Sequence, residues 1–338
     1  MSNARFFHLL TPSFAVIAFA AASPANAATF ATFDPPGSVG TFPYSINASG
    51  MITGTYETSD GKAHGFIRAA DGTVTTFDPD GSLYTDPSAI DSDGRVTGEY
   101  TPPSRNRSHG FVREPDGTIT VFDATSHATY TRPVGFDADG NVAGSFTDHH
   151  SKARGFVRST SGTITVFDYP HALVTAANAV NSSGVITGLG LLNNFNRPDR
   201  GFIRAPDGSL TSFKVRGALS TEGLAINASG TIAGDYYGQD SVTHGVVRDP
   251  NGKLTSFDPK GSQETDPYAI NASGSIVGIY QVGDNINHGF LRKPNGSIHN
   301  IDDPEGVATT PASINDAGVV TGYFKDANKQ YHGFIRTN

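Results

Sequence analysis

The chain has 338 residues, 24 of them basic and 32 acidic, for a formal net charge of −8. It contains no Cys, which excludes a disulfide scaffold, thiol catalysis and a zinc–thiolate site. An acidic balance without a basic stripe excludes nucleic acid as a partner.

From the N-terminus, a cationic start at Arg5 leads into an apolar stretch over Leu9–Ala22 and a small-residue site, Ala25-Asn26-Ala27. This is the pattern of a secretory signal peptide cleaved after Ala27. The stretch is short of the roughly 20 apolar residues that a spanning helix needs. Residues 1–27 are therefore expected to be a signal peptide, and residues 28–338 one secreted domain, periplasmic or extracellular, with no membrane span.

After Ala28 comes a lone strand candidate, Thr29–Asp34, and then a tandem repeat. The segment His64-Gly65-Phe66-Ile67-Arg68 recurs around Gly110, Gly155, Gly201, Gly245, Gly289 and Gly333, at spacings of 44 to 46 residues. Each copy reads as four short strands. In the first these are Tyr44–Asn47, Met51–Tyr56, His64–Arg68 and Thr73–Asp78. Thr, Val, Ile, Phe and Tyr dominate the runs and helical periodicity is absent. Four strands per repeat of about 44 residues predict an all-β fold, a seven-bladed β-propeller. A β-solenoid is the alternative, although its coils are usually shorter.

Turn chemistry supports the hairpins. An Asx residue (Asn47, Asp91, Asp137, Asn181, Asn227, Asn271, Asn315) stands three residues before a Gly in every copy, which fits a three-residue loop closed by a left-handed Gly. Ala70-Asp71-Gly72 and its equivalents predict a second such loop. The last copy ends after its third strand, so Thr29–Asp34 is expected to supply the missing fourth and close the ring, removing two open edges.

The recurrent His invites a metal or acid–base reading. A three-residue loop at Ala70-Asp71-Gly72 would instead set His64 opposite Asp78, with the same offset for His109/Asp123, Arg154/Asp168, His244/Asp258 and His288/Asp302, and with Asp34 for His332. Repeated in every blade, these pairs read as cross-strand locks, since catalysis needs convergence at one point. The Gly row of the second strands (Gly54, Gly98 and their equivalents) is expected to admit a Phe from the neighbouring blade. No dinucleotide or phosphate-loop pattern occurs, and the Asp-rich turns at Asp91 and Asp137 lack the later bidentate acid of a calcium loop. Neither a metal nor a cofactor is expected.

The repeat resembles the extracellular HAF-type repeat family of bacteria, whose hallmark is an Ala-Ile-Asn-x-x-Gly-x-Val-x-Gly run followed by His-Ala-Phe. Here the run reads Ala225 to Gly234, and the triplet is His-Gly-Phe in four copies, with Val246 in one and Arg154 and Arg200 replacing His in two. The resemblance covers residues 29–338. It implies export and a propeller, and no particular activity.

Function is expected where the copies disagree, on the face formed by the loops between second and third strands and the blade-to-blade connectors. The candidate ligand-binding residues are Arg105, Arg107, His149, His150, Phe195, Arg197, Tyr236, Tyr237 and Asp240. On this reading the protein is a non-enzymatic, monomeric binding module for an extracellular glycan or protein. A structural envelope or matrix repeat protein and a propeller lyase or lactonase are the alternatives.

Overall fold

A computed structural model describes residues 28–104, 106–192, 199–283 and 285–337. The expected signal peptide lies outside the described residues. All regular structure among the described residues is β-strand, with no helix long and apolar enough to cross a membrane.

The first repeat unit is an antiparallel meander of Ser38–Ile46, Ile52–Thr58, Ala63–Arg68 and Val74–Phe77. The same pairing recurs in the units whose first strands are Tyr84–Ile90, Ala128–Phe136, Ala172–Val180, Ser220–Ile226 and Glu264–Ile270. The last unit, from Ala308–Ile314, has three strands of its own. Its third strand, Tyr331–Thr337, pairs antiparallel with Thr29–Phe33, running from Thr29 opposite Thr337 to Phe33 opposite Gly333. Each first strand packs against the first strands of the units before and after it, and Ala308–Ile314 packs against Ser38–Ile46. By hydrogen bonding, the described strands fall into sheets of 12, 8 and 8.

Both tight turns form as the Gly pattern predicts. Gly50 and Gly72 have φ of +84° and +95°, a region in which a Cβ would be strained. Asn47 closes its turn by accepting from the Met51 amide at 2.9 Å. Its side-chain amide also donates to the carbonyl of Asp91 in the next unit, at 2.8 Å. The same donation runs from Asn181 to Asn227, Asn227 to Asn271, Asn271 to Asn315 and Asn315 back to Asn47, at 3.0–3.2 Å. The turn residue is thus also a tie between units, a role that only Asn can fill; Asp91 and Asp137 have no amide to give.

Two expectations need correction. The first strands begin well before Tyr44, because Gly40 and Pro43 do not break them. Pro43 lies at a bulge, with the register shifting between it and Ser45, and the shift recurs after Pro87, Pro133, Ala177, Gly223, Pro267 and Pro311. A strand edge tolerates Pro because a missing donor there leaves no ladder bond unmade. The second correction concerns the second-strand Gly row. What crowds Gly98 is the backbone of its own first strand, Asp86 O and Pro87 Cα. Where a Phe does approach this row, as Phe156 at Gly144 and Phe202 at Gly188, it belongs to the same unit, and so does Phe77, which would lie 2.8 Å from a Cβ on Gly65 of the His-Gly-Phe triplet.

Units are glued by aromatic contacts. Phe77 packs edge-on against Phe111 of the next unit at 5.9 Å. Arg113, at the end of the same strand as Phe111, lies over the Phe77 ring at 5.2 Å. The Arg–Phe contact recurs for Arg68, Arg158, Arg204, Arg248 and Arg292. Each such contact contributes about 0.5–2 kcal/mol.

Candidate functional site

The recurrent His residues are locks. His64 Nδ1 is 2.6 Å from Asp78 Oδ2, and His109, His244, His288 and His332 meet Asp123, Asp258, Asp302 and Asp34 at 2.7–2.8 Å. The lock extends inward, with Thr85 donating to the other oxygen of Asp78 at 2.6 Å. A second-strand ring covers each imidazole, as Tyr56 does His64 at 5.2 Å and Tyr236 does His244 at 4.9 Å. These His residues therefore have fixed partners, scattered unit by unit. Among the described residues no group of three or more His, Cys, Asp or Glu has the geometry to hold a metal.

The loop residues expected to bind a ligand lie in separate units. Arg107 is exposed on the second unit. His149 and His150 are exposed on the third, their rings 3.8 Å apart, with His127 5.1 Å from His149. On the fifth, Tyr236 and Asp240 clasp His244, the latter at 3.1 Å, which commits both to the lock. Tyr237 beside them is exposed. Arg105, Phe195 and Arg197 lie outside the described residues.

Convergence occurs instead where the first strands meet. Superposing the units by register separates a uniform row from a diverse one. Thr41 is followed by Thr85, Thr131, Thr175, Thr221, Thr265 and Thr309, and all are buried. One residue on, the row reads Phe42, Asp86, Arg132, Ala176, Glu222, Asp266 and Thr310. Its partners across the ladder are Thr55, Glu99, Ser145, Leu189, Asp235, Ile279 and Tyr323. The scaffold needs no particular side chain in this row, and the chain spends its chemical variety there.

Two of these pairs, Asp86/Glu99 and Glu222/Asp235, set carboxylates directly opposite each other. Like charges so placed weaken a sheet. Hydrogen bonds hold some of them: from neighbouring units, Thr55 Oγ1 donates to Asp86 at 3.1 Å and Asn178 Nδ2 to Glu222 at 2.6 Å, and within the unit Ser108 donates to Glu99. Burial, then the charges of Glu222, Asp266 and Glu264, push Asp235 up to about 8. Burial, then Glu264, raises Asp266. Burial also raises Asp86, Glu99 and Glu222, partly offset for the last two by Arg132, whose charge acts on both. The result is a half-buried chamber with an acidic excess and, among the described residues of the row and its ladder partners, a single guanidinium, bordered by a cluster of Phe42, Tyr323 and Tyr331 with ring centroids 5.1–5.9 Å apart.

The sequence reading missed this chamber because it began the first strand at Tyr44, beyond the residues that line it. The signal was present: in the aligned copies an all-Thr position is followed by one with six residue types in seven copies.

No family model matches the chain, and no curated protein matches it by sequence. Solved structures do. A streptogramin B lyase aligns over 92% of this chain and 98% of its own, with a TM-score of 0.57 at 13% identity. A prolyl endopeptidase aligns over 88% of this chain with a TM-score of 0.64 at 15% identity, and a puromycin hydrolase over 88% with 0.60 at 13%. The chain spans about half the length of the latter two, 48% and 52%. Identities this low carry the likeness of fold alone, and that fold is the β-propeller.

Proposed function

We propose that the chain is an exported seven-bladed propeller of HAF type, closed by its N-terminal strand, that works as a binding module for an amine-bearing extracellular ligand. The cyclic packing of first strands and the Thr29–Phe33 pairing support the closed ring. The ligand enters the axial chamber, and the observation that carries this is the row Phe42, Asp86, Arg132, Ala176, Glu222, Asp266, Thr310. It is a convergent position where the units diverge chemically, and with its second-strand partners it sets carboxylates opposite each other at a cost in stability. A cation seated among them would relieve that repulsion.

The test is equilibrium binding at pH 8.5 of polyamines, amino sugars and Lys-containing peptides, each against its N-acetylated form. Tight binding of the free amines, lost in Glu222→Gln and Asp235→Asn, is the expected result. Equal affinity for the acetylated forms would sink the proposal.

A second reading, acid–base catalysis, draws on the Glu222/Asp235 pair, in which one carboxyl holds its proton at neutral pH. Turnover of a polysaccharide or lactone that is abolished by Asp235→Asn would favour it over binding.

A further inference from the structure

The connector end of the chamber carries a feature that folding does not explain. Where each unit's first strand begins, at its second residue or immediately before it, stand Val39, Leu83, Thr129, Leu173, Leu219, Gln263 and Val307. Five of these are aliphatic, and Val39, Leu173, Leu219 and Val307 are 45–52% exposed. Scattered surface apolar residues are ordinary. An apolar side chain recurring at one exposed register position, unit after unit, is a patch. In the third unit, where the position is Thr129, the adjacent Tyr130 is 52% exposed. Main-chain amides here are already engaged in four units, Leu83, Leu219, Gln263 and Val307 donating to the Thr101, Tyr237, Gln281 and Lys325 carbonyls at 2.7–2.9 Å. The side chains are therefore free to meet something from outside.

Three residues further along the same strands lies the Asp86–Glu222–Asp266 row, about 10 Å deeper at strand rise. The mouth is thus an aliphatic collar around an acidic floor. We infer that this collar docks a polypeptide of a partner protein, one that inserts a Lys or Arg side chain into the chamber and lays flanking apolar side chains on Val39, Leu173, Leu219 and Val307. This rests on the reading of the chamber as an amine site and names the class of ligand that carries the amine. Charge complementarity selects the occupant. A long basic side chain spans collar to floor, whereas an anionic bilayer is repelled by a chain of net charge −8. A free amino sugar has no apolar flanks with which to cover the collar.

The experiment titrates the full purified protein with three fluorescent peptides of one length. These are a Lys flanked by Val and Leu, the same peptide with acetyl-lysine, and a Lys flanked by Ser; spermidine is titrated alongside. The apolar-flanked Lys peptide should bind at least tenfold more tightly than the Ser-flanked one. Leu173→Ser with Leu219→Ser should abolish that advantage while leaving spermidine unaffected, and far-UV circular dichroism checks the fold. If the two Lys peptides bind equally, or the collar variant keeps the advantage, the docking inference falls while the amine reading stands. If spermidine and all peptides fail to bind, both fall. Collar-dependent flotation with phosphatidylcholine vesicles would assign the collar to a membrane and overturn the inference.

Discussion

His332 Nδ1 lies 2.7 Å from Asp34 Oδ2, joining residues 298 apart in the chain. It is the same lock that His64 and Asp78 form within one unit, here assembled from the two ends. Phe30 and Phe33 come with the N-terminal strand, and Phe30 packs against Phe334 at 5.5 Å.

Removing residues 28–34 should therefore expose two edges and strip the lock, the strand ladder and both rings at once. The melting temperature is expected to fall by roughly 10 °C or more, taking about 2–4 °C per kcal/mol for a chain of this size. Asp34→Asn alone, which touches a partly exposed pair, should cost only a fraction of this. Calorimetry on both variants would check the ranking, and an unchanged melt for the deletion would count against closure.

That lock was legible before any coordinates, because a three-residue loop dictates which residues face each other and the Gly at its end dictates the loop. The all-β class and the hairpin turns were legible for the same reason: local chemistry repeated in register. The chamber was not, since its walls lie in strands that carry Gly or Pro residues such as Gly40, Pro43 and Pro87. Those residues break interior strands and are tolerated on an edge. Whether a strand is an edge depends on its neighbours in space. The common partner of Tyr236 and Asp240 was hidden for a related reason. Both are loop-proximal and polar, yet His244, their common partner, is reached only through the hairpin register.

Asn271 offers a sharp test of the ties between units. Its Oδ1 accepts from the Ser275 amide at 2.9 Å while its Nδ2 donates to the Asn315 carbonyl at 3.0 Å. Asn271→Asp keeps the acceptor and removes the donor, setting a carboxylate oxygen against the Asn315 carbonyl, which keeps only the Gly318 amide at 3.0 Å. A loss of about 1–2 kcal/mol is expected, read as a lowered urea midpoint with an unchanged slope. Asn→Asp at Asn328, an exposed loop residue, serves as the control and should change little.

Gly98 should be intolerant for a steric reason. A Cβ there would meet Pro87 Cα at 2.6 Å, and backbone atoms cannot rotate away. Gly98→Ala is expected to destabilise by about 2 kcal/mol or more, as overpacking does. Gly238→Ala, where the nearest atoms belong to the exposed Asp240 carboxylate, should be milder. Parallel urea titrations of the two variants would decide, and equal losses would refute the account of the mid-strand row.

The chamber should make stability depend on pH in a direction opposite to ordinary carboxylates. Asp235 holds its proton up to about 8 in the folded chain, against about 4 when unfolded. Between those values the folded state binds more protons than the unfolded one, so stability falls as pH rises. The contribution is complete below about 4 and is lost as pH passes 8. Asp148 and Asp326 are lowered, chiefly by backbone hydrogen bonds from Lys152 and Gln330, so their stabilisation is instead lost as pH falls below the carboxylate range. The melting temperature of the native chain should then decline from pH 6 to pH 9, and Asp235→Asn should flatten that decline and melt higher at pH 9. A bound amine would act in the same sense, favouring the ionised carboxylate and raising the melting temperature more at pH 9 than at pH 6. Identical pH slopes for the native chain and Asp235→Asn would remove the electrostatic strain from which the binding proposal starts.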